Sequence, residues 1–76
     1  MAIAFILLHV EKGQEGTTLT ELLRIDGVVE VHQVYGDYDI ICKVQKPTIG
    51  TIRDTVLREI RFLSSIRSTI SLIVVD

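Results

Sequence analysis

Apolar and polar residues change their spacing several times along this 76-residue chain, and the changes divide it into six segments. Ala2 to Val10 is an apolar run rich in branched residues, which predicts a strand ending at Glu11-Lys12-Gly13. From Gln14 to Ile25 apolar residues recur at helical spacing, and Asp26-Gly27 is a typical helix stop. We expect a helix there, although Gly16 and the two threonines after it weaken its first turns.

The second half of the chain continues the same alternation. Val28 to Tyr35 and Tyr38 to Val44 have strand character, and the Gly36-Asp37 pair between them predicts a two-residue hairpin. Pro47-Thr48 opens a second helix, and Ile66 to Val75 is a final strand. Its apolar face, at spacings of three and four residues, comprises Ile49, Ile52, Val56, Ile60 and Leu63. The order βαββαβ predicts an α+β, ferredoxin-like fold, with a four-stranded antiparallel sheet and two helices on one face.

Residues 1–76 form one domain in this interpretation, and its first strand is apolar on both sides. Ile3, Phe5 and Leu7 point to one face of the sheet, whereas alternate residues point to the other. Two helices cover only one face, so we expect a second copy of the sheet to cover the other. The prediction is a homodimer with a dimeric α/β barrel-like assembly.

Charge and cysteine content exclude several classes of protein. The net charge is −2 and the eight basic residues are dispersed, so we expect no direct contact with nucleic acid. Cys42, His9 and His32 lack the spacing of a metal site, and we predict no metal, no cofactor and a reducing, cytoplasmic location. The apolar start is too short to span a bilayer, so we expect no membrane partner.

Two polar stretches could carry chemistry. Tyr35-Gly36-Asp37-Tyr38-Asp39 places two carboxylates and two phenols around a turn, although turn chemistry alone would explain Gly-Asp. Ser68, Thr69 and Ser71 add hydroxyls to the final strand, where an exposed strand face would explain them equally well. No nucleophile, base and orienting group occur together, which argues against an enzyme.

The chain resembles the effector-binding domain of the Lrp/AsnC family, called RAM. Gly36-Asp37-Tyr38-Asp39 looks like the family's signature of glycine, any residue, aromatic residue and aspartate. Gly13, Gly27-Val28 and the closing Ile66 to Val74 are also similar to the family, so the resemblance covers nearly the whole chain. The usual N-terminal helix-turn-helix is missing from this sequence, and the chain therefore looks like the family's stand-alone form.

The resemblance implies a regulatory domain that binds an amino acid between dimers, with dimers joined into rings that are commonly octameric. For the ligand we expect Asp37 and Asp39 to accept from an ammonium and the amides around Gly36 to donate to a carboxylate. Tyr35 would form a wall of the pocket. The remaining candidate ligand residues are Ser68, Thr69 and Ser71, as carboxylate donors.

Three functions stay open at this point. The chain could respond to an amino acid and so modulate transcription, or it could be a structural adaptor that joins full-length Lrp/AsnC regulators without a ligand of its own. A small enzyme of the dimeric ferredoxin-like barrel group is the third, with only His9 and His32 as candidate bases. ACT domains share the topology, but the Gly36 to Asp39 segment fits RAM better.

Overall fold

The fold is known from a computed structural model, which describes residues 1–75. Its elements follow the order predicted from the sequence. They are β1 (Ala2–Val10), α1 (Glu15–Leu23), β2 (Val28–Gln33), β3 (Ile40–Lys46), α2 (Ile49–Thr55) with a π-helical continuation (Val56–Ile60), and β4 (Ile66–Ile73). The βαββαβ prediction is therefore confirmed.

The four strands form one antiparallel sheet in the order β2-β3-β1-β4. β1 lies inside the sheet between β3 and β4, because the two crossovers carry the chain over the same face. Alternate residues of β1 and β3 are buried beneath the helices. The fully buried core includes Ala4, Ile6, Leu8, Leu22, Ile40, Val44, Ile52 and Ile60. This is the predicted ferredoxin-like α+β architecture.

The other face of the sheet is open; it is apolar along β1 and β4, whereas Glu30, His32 and Lys43 lie on it along β2 and β3. Phe5 and Leu7 project from β1, and their cross-strand neighbours on β4 are Leu72 and Ile70. Ile70 is 43% exposed and Leu72 is 52% exposed. The predicted two-sided hydrophobicity of β1 is thus confirmed, and β4 extends the same apolar face.

The first helix forms despite its threonines because one of them is buried and fully hydrogen-bonded. The Thr18 hydroxyl donates to the Gln14 carbonyl at 2.7 Å and accepts from the Ser65 hydroxyl at 2.6 Å. The Ser65 carbonyl in turn accepts from the amide of Glu11 at 2.8 Å. These bonds hold the start of α1 against the turn that leads into β4, so a poor helix former serves tertiary structure here.

The second helix begins as predicted, at a threonine cap. The Thr48 hydroxyl accepts from the amide of Thr51 at 3.1 Å, and the Thr51 hydroxyl accepts from the amide of Thr48 at 3.2 Å. From Val56 to Ile60 the helix widens into a π-turn, in which the Arg61 amide donates to the Val56 carbonyl at 2.8 Å. Ile52, Val56 and Ile60 are buried and lie four positions apart. In an α-helix with 3.6 residues per turn, residues at this spacing shift progressively around the helix axis. The wider π-turn reduces that shift and keeps the three side chains facing the sheet.

The predicted two-residue hairpin between the middle strands is wrong. β2 ends at Gln33 and β3 begins at Ile40, so a loop of residues 34–39 joins them. The Val34 amide still donates to the Asp39 carbonyl at 2.9 Å. Asp39 therefore stays bonded to β2, whereas the chain between Val34 and Asp39 leaves the ladder, and the Tyr38 ring there stacks on His9 of β1.

Cys42 is buried in β3, and this burial raises the pKa of its thiol from 9.0 to about 12. A neutral thiol is a poor nucleophile, so we expect alkylation by iodoacetamide in native buffer to be at least about a hundredfold slower than in denaturant. Mass spectrometry of timed samples measures this ratio. Equal rates would show that β3 opens readily.

The same burial makes stability depend on pH. Because the folded thiol has the higher pKa, its contribution to the free energy of unfolding is lost as pH rises above 9.0.

Candidate ligand site

A polar concavity of about 570 Å³ lies at the edge of the sheet where β1 ends. Because β3 and β4 are antiparallel to β1, their first residues meet its last ones there. The start of α1 closes one side. The lining residues are His9, Val10, Lys12, Glu15, Asp39, Arg67 and Ser68. Of the residues predicted from the sequence, Asp39 and Ser68 are in this concavity.

Asp39 is fixed to β1 by main-chain and side-chain bonds. Its amide donates to the Leu8 carbonyl at 2.9 Å, and its Oδ2 accepts from the Val10 amide at 2.8 Å. The carboxylate thus replaces a backbone carbonyl at the end of the ladder between β1 and β3. Within residues 1–75 the side chain makes this one hydrogen bond, which leaves Oδ1 available to a ligand.

His9 connects the concavity to the loop of residues 34–39. Its Nδ1 lies 2.7 Å from the Ser68 hydroxyl, and its Nε2 donates to the Asp37 carbonyl. The imidazole also stacks on the Tyr38 ring, with 4.4 Å between ring centroids and 12° between planes. His9, which the sequence analysis considered only as a candidate base, therefore contacts both the loop and the start of β4.

Three predicted residues lie at the tip of that loop. Tyr35 is fully exposed, and the Asp37 side chain is exposed too. Gly36 has a φ of +133°, a conformation that favours glycine, and a Cβ there would meet nothing within 4 Å. The tip therefore presents a phenol, a carboxylate and an open backbone to whatever approaches it.

Thr69 and Ser71 lie apart from the other candidates. They pair with Leu8 and Ile6, so their side chains are on the helix side of the sheet, whereas Ser68 pairs with His9 on the open side. They line a second groove of about 310 Å³ between α2 and β4. Its other residues are Ile52, Arg53, Val56, Leu57, Arg61 and Ile73. One chain alone does not bring the predicted set to one place.

Lys12, Glu15 and Arg67 complete the concavity and were missed as ligand residues. The Nε of Arg67 is 4.0 Å from a carboxylate oxygen of Glu11. The available signal was topology, since a βαββαβ order brings the end of the first strand beside the starts of the third and fourth. With its two carboxylates and two basic side chains, the concavity has both signs of charge.

Asp39 offers a test of this arrangement. Asp39→Ala leaves the Val10 amide without its acceptor, so we expect the free energy of unfolding to fall by about 1–3 kcal/mol. Urea denaturation followed by circular dichroism measures the change. Asp37→Ala is the matched control, since its exposed carboxylate should matter by less than about 0.5 kcal/mol. Equal losses in the two variants would contradict the role given to the Asp39 carboxylate.

Within residues 1–75 two kinds of feature are absent. No cluster of three or more histidine, cysteine or acidic side chains is suitable for a metal ion. No helix in the same residues is long and apolar enough to cross a membrane.

Comparison with known proteins identifies similar sequences and similar folds. Residues 3–76 match the model of the Lrp/AsnC ligand binding domain. The chain is 35% identical over 43 residues to the HTH-type transcriptional regulator FL11 of Pyrococcus furiosus, a match that covers 57% of this chain and 28% of the regulator. The chain therefore matches little more than a quarter of the length of that relative.

Solved structures give the same result over the full fold. FFRP-DM1 has a TM-score of 0.94 and 33% identity, and the match covers 99% of this chain and 100% of that one. AsnC of E. coli has a TM-score of 0.92 and 26% identity, with 99% of this chain and 51% of AsnC covered. The family match, the shared fold and the loop signature lead to one conclusion: this chain belongs to the Lrp/AsnC ligand-binding domain family.

Proposed function

We propose that the chain is a non-catalytic regulatory domain that binds a free amino acid in the concavity at the end of β1. The observation that carries the proposal is the pairing of two carboxylates, Asp39 and Glu15, with two basic side chains, Lys12 and Arg67, around one space. A zwitterion needs acceptors for its ammonium and donors for its carboxylate. An uncharged metabolite would need neither pair.

The loop tip and the second groove complete the proposed site from neighbouring chains. Tyr35, Gly36 and Asp37 are exposed, and His9 joins Asp37 to the concavity, so the loop tip is accessible to another copy in an oligomer. Thr69 and Ser71 would reach an amino acid only as residues of a different subunit. This matches the family resemblance, in which effectors bind between dimers.

A structural relative supports the ligand class. A transcriptional regulator of Neisseria meningitidis, with a TM-score of 0.87 and 14% identity, was solved as a complex with L-Met. That complex concerns the Neisseria protein. For this chain it makes L-methionine a sensible member of the set of amino acids to be tested.

We propose further that two copies pack through their open sheet faces. The exposed Phe5, Ile70 and Leu72 side chains make this face apolar, and soluble monomers rarely expose such continuous patches. A two-fold dimer covers the patch with itself. The family resemblance extends this to rings of dimers, commonly octamers.

The two candidate bases, His9 and His32, give little support to an enzymatic role. Both ring nitrogens of His9 are engaged within the chain, by Ser68 and Asp37. His32 is exposed, with its Nε2 3.3 Å from the carboxylate of Glu30. The Ser68 hydroxyl lies beside His9, but the other ring nitrogen of that imidazole bonds a backbone carbonyl and not a carboxylate, so within residues 1–75 the pair has no acidic third member.

Isothermal titration calorimetry with each of the twenty amino acids tests the proposal. We expect heat from at least one of them, and loss of that heat in Asp39→Ala. Sedimentation velocity with and without the bound amino acid tests whether occupancy shifts assembly. Silence across all twenty at millimolar concentration, from folded and oligomeric protein, would overturn amino-acid binding.

The adaptor function remains the second candidate, and the open sheet face is the observation that favours it. Full-length regulators with the same domain would offer a matching face, so mixed assemblies are physically reasonable. Co-expression with a tagged Lrp/AsnC regulator should then give mixed oligomers. Indifference to amino acids together with mixed oligomers would support the adaptor over the sensor.

A further inference from the structure

We infer that His9 is a positioning residue of the proposed amino-acid site: it fastens the loop of residues 34–39 to β4 and makes the Ser68 oxygen an acceptor facing the concavity. The inference rests on the proposed function for its meaning in ligand selection. The tether itself is a property of the unliganded chain. It can be tested separately.

The loop tip depends on His9 for its attachment. The Nε2 of His9 donates to the Asp37 carbonyl, and its ring stacks on Tyr38. Within residues 1–75 no other group forms a hydrogen bond with Tyr35, Gly36 or Asp37. The neighbouring bonds of Asp39 hold only the base of the loop. Loss of the imidazole would therefore free the tip and leave the sheet in place.

The bond to Asp37 also determines the tautomer of the neutral imidazole. A backbone carbonyl can only accept, so the hydrogen of neutral His9 must be on Nε2. Nδ1 is then a lone pair, and the Ser68 hydroxyl must donate to it across 2.7 Å. The bond to His9 uses the only hydroxyl hydrogen of Ser68, so the Ser68 oxygen can only accept a hydrogen bond from a ligand.

This assignment changes the expected role of Ser68. The sequence suggested that its hydroxyl donates to a carboxylate, whereas beside neutral His9 it can only accept. Together with Asp39 and Glu15 it gives the concavity three acceptors, as many as the hydrogens of an ammonium group. His9 thereby favours an amino acid over a carboxylic acid that lacks the ammonium.

Hydrogen exchange tests the tether without any ligand. His9→Phe keeps a ring to stack on Tyr38 but loses both nitrogens, so exchange of the amides of residues 35–38 should become roughly tenfold faster. His32→Phe is the control on the same sheet face and should leave these amides unchanged. Nitrogen NMR at alkaline pH should find the His9 hydrogen on Nε2. Unchanged loop exchange in His9→Phe, or a hydrogen on Nδ1, would overturn the inference.

Ligand selectivity tests the second part of the inference, the acceptor role of Ser68. For every amino acid that binds, calorimetry is repeated with the carboxylic acid of the same side chain that lacks the ammonium. Ser68→Ala, a change at an exposed position, should reduce the preference for the amino acid about tenfold, because a hydrogen bond to a charged group is lost. A general structural defect would weaken the binding of both compounds equally, and that result would contradict the acceptor role of Ser68.

The two kinds of failure are distinguishable. If the wild-type chain binds none of the twenty amino acids, the proposed function fails, while exchange and NMR still decide whether His9 holds the loop. If an amino acid binds but loop exchange is unchanged in His9→Phe, the inference fails alone.

Discussion

Replacing Leu22 with alanine is expected to lower the free energy of unfolding by about 2–5 kcal/mol. Leu22 is fully buried on the face of α1 that packs on the sheet. The substitution removes apolar contacts and leaves a cavity that a small, close-packed core closes only in part. A domain of this size has a total stability of about 4–11 kcal/mol, so the loss would be a large part of it.

Leu23→Ala is the matched control, because it is the same substitution at the next position of the same helix. Leu23 is 59% exposed, and we expect its replacement to cost less than about 1 kcal/mol. Urea denaturation of both variants, at one protein concentration, measures the difference. Similar losses would mean that α1 does not pack on the sheet through Leu22.

The contrast between these two leucines shows what periodicity predicts and where it stops. The spacing of apolar residues from Gln14 to Ile25 correctly predicts a helix, and the same signal marks both leucines as apolar positions. Which of them is buried depends on how the helix is rotated on the sheet. That rotation is set by contacts such as the Thr18–Ser65 bond, which joins residues 47 positions apart.

The loop between β2 and β3 shows the same limit for the site. Gly36-Asp37 is a good hairpin signal, but the Tyr38 ring stacks on His9 and the Asp39 carboxylate accepts from the Val10 amide, both about thirty residues earlier in the chain. Local turn chemistry contains no information about those partners. The signature residues could be found from the sequence, whereas the histidine that holds them could not.

The alternation of faces along β4 separates the ligand residues predicted on that strand. Residues of a strand alternate between faces, so Ser68 cannot share a face with Thr69 and Ser71. In the structure the hydroxyls of Thr69 and Ser71 face the groove beside α2, and Ile70 and Leu72 face away from the helices. An edge strand that puts its largest apolar side chains on the uncovered face is consistent with a partner on that face.

The proposed dimer predicts that Ile70→Glu produces a monomer. Ile70 is 43% exposed in the single chain, so a carboxylate there remains solvated and the fold is kept. In a two-fold interface the same substitution would bury two unpaired charges close together. At a cost of about 2 kcal/mol for each copy, the dimer should weaken about a thousandfold.

Sedimentation velocity at micromolar concentration, with circular dichroism to check folding, measures this effect. Leu57→Glu is the control, because Leu57 has a similar exposure, 58%, but lies on the helix layer. It should leave the dimer intact, since the sheet-to-sheet model gives that layer no part in dimerisation. If Leu57→Glu separates the subunits and Ile70→Glu does not, the copies associate through their helices and the open sheet face needs another partner. A folded wild-type monomer at the same concentration would reject the dimer directly.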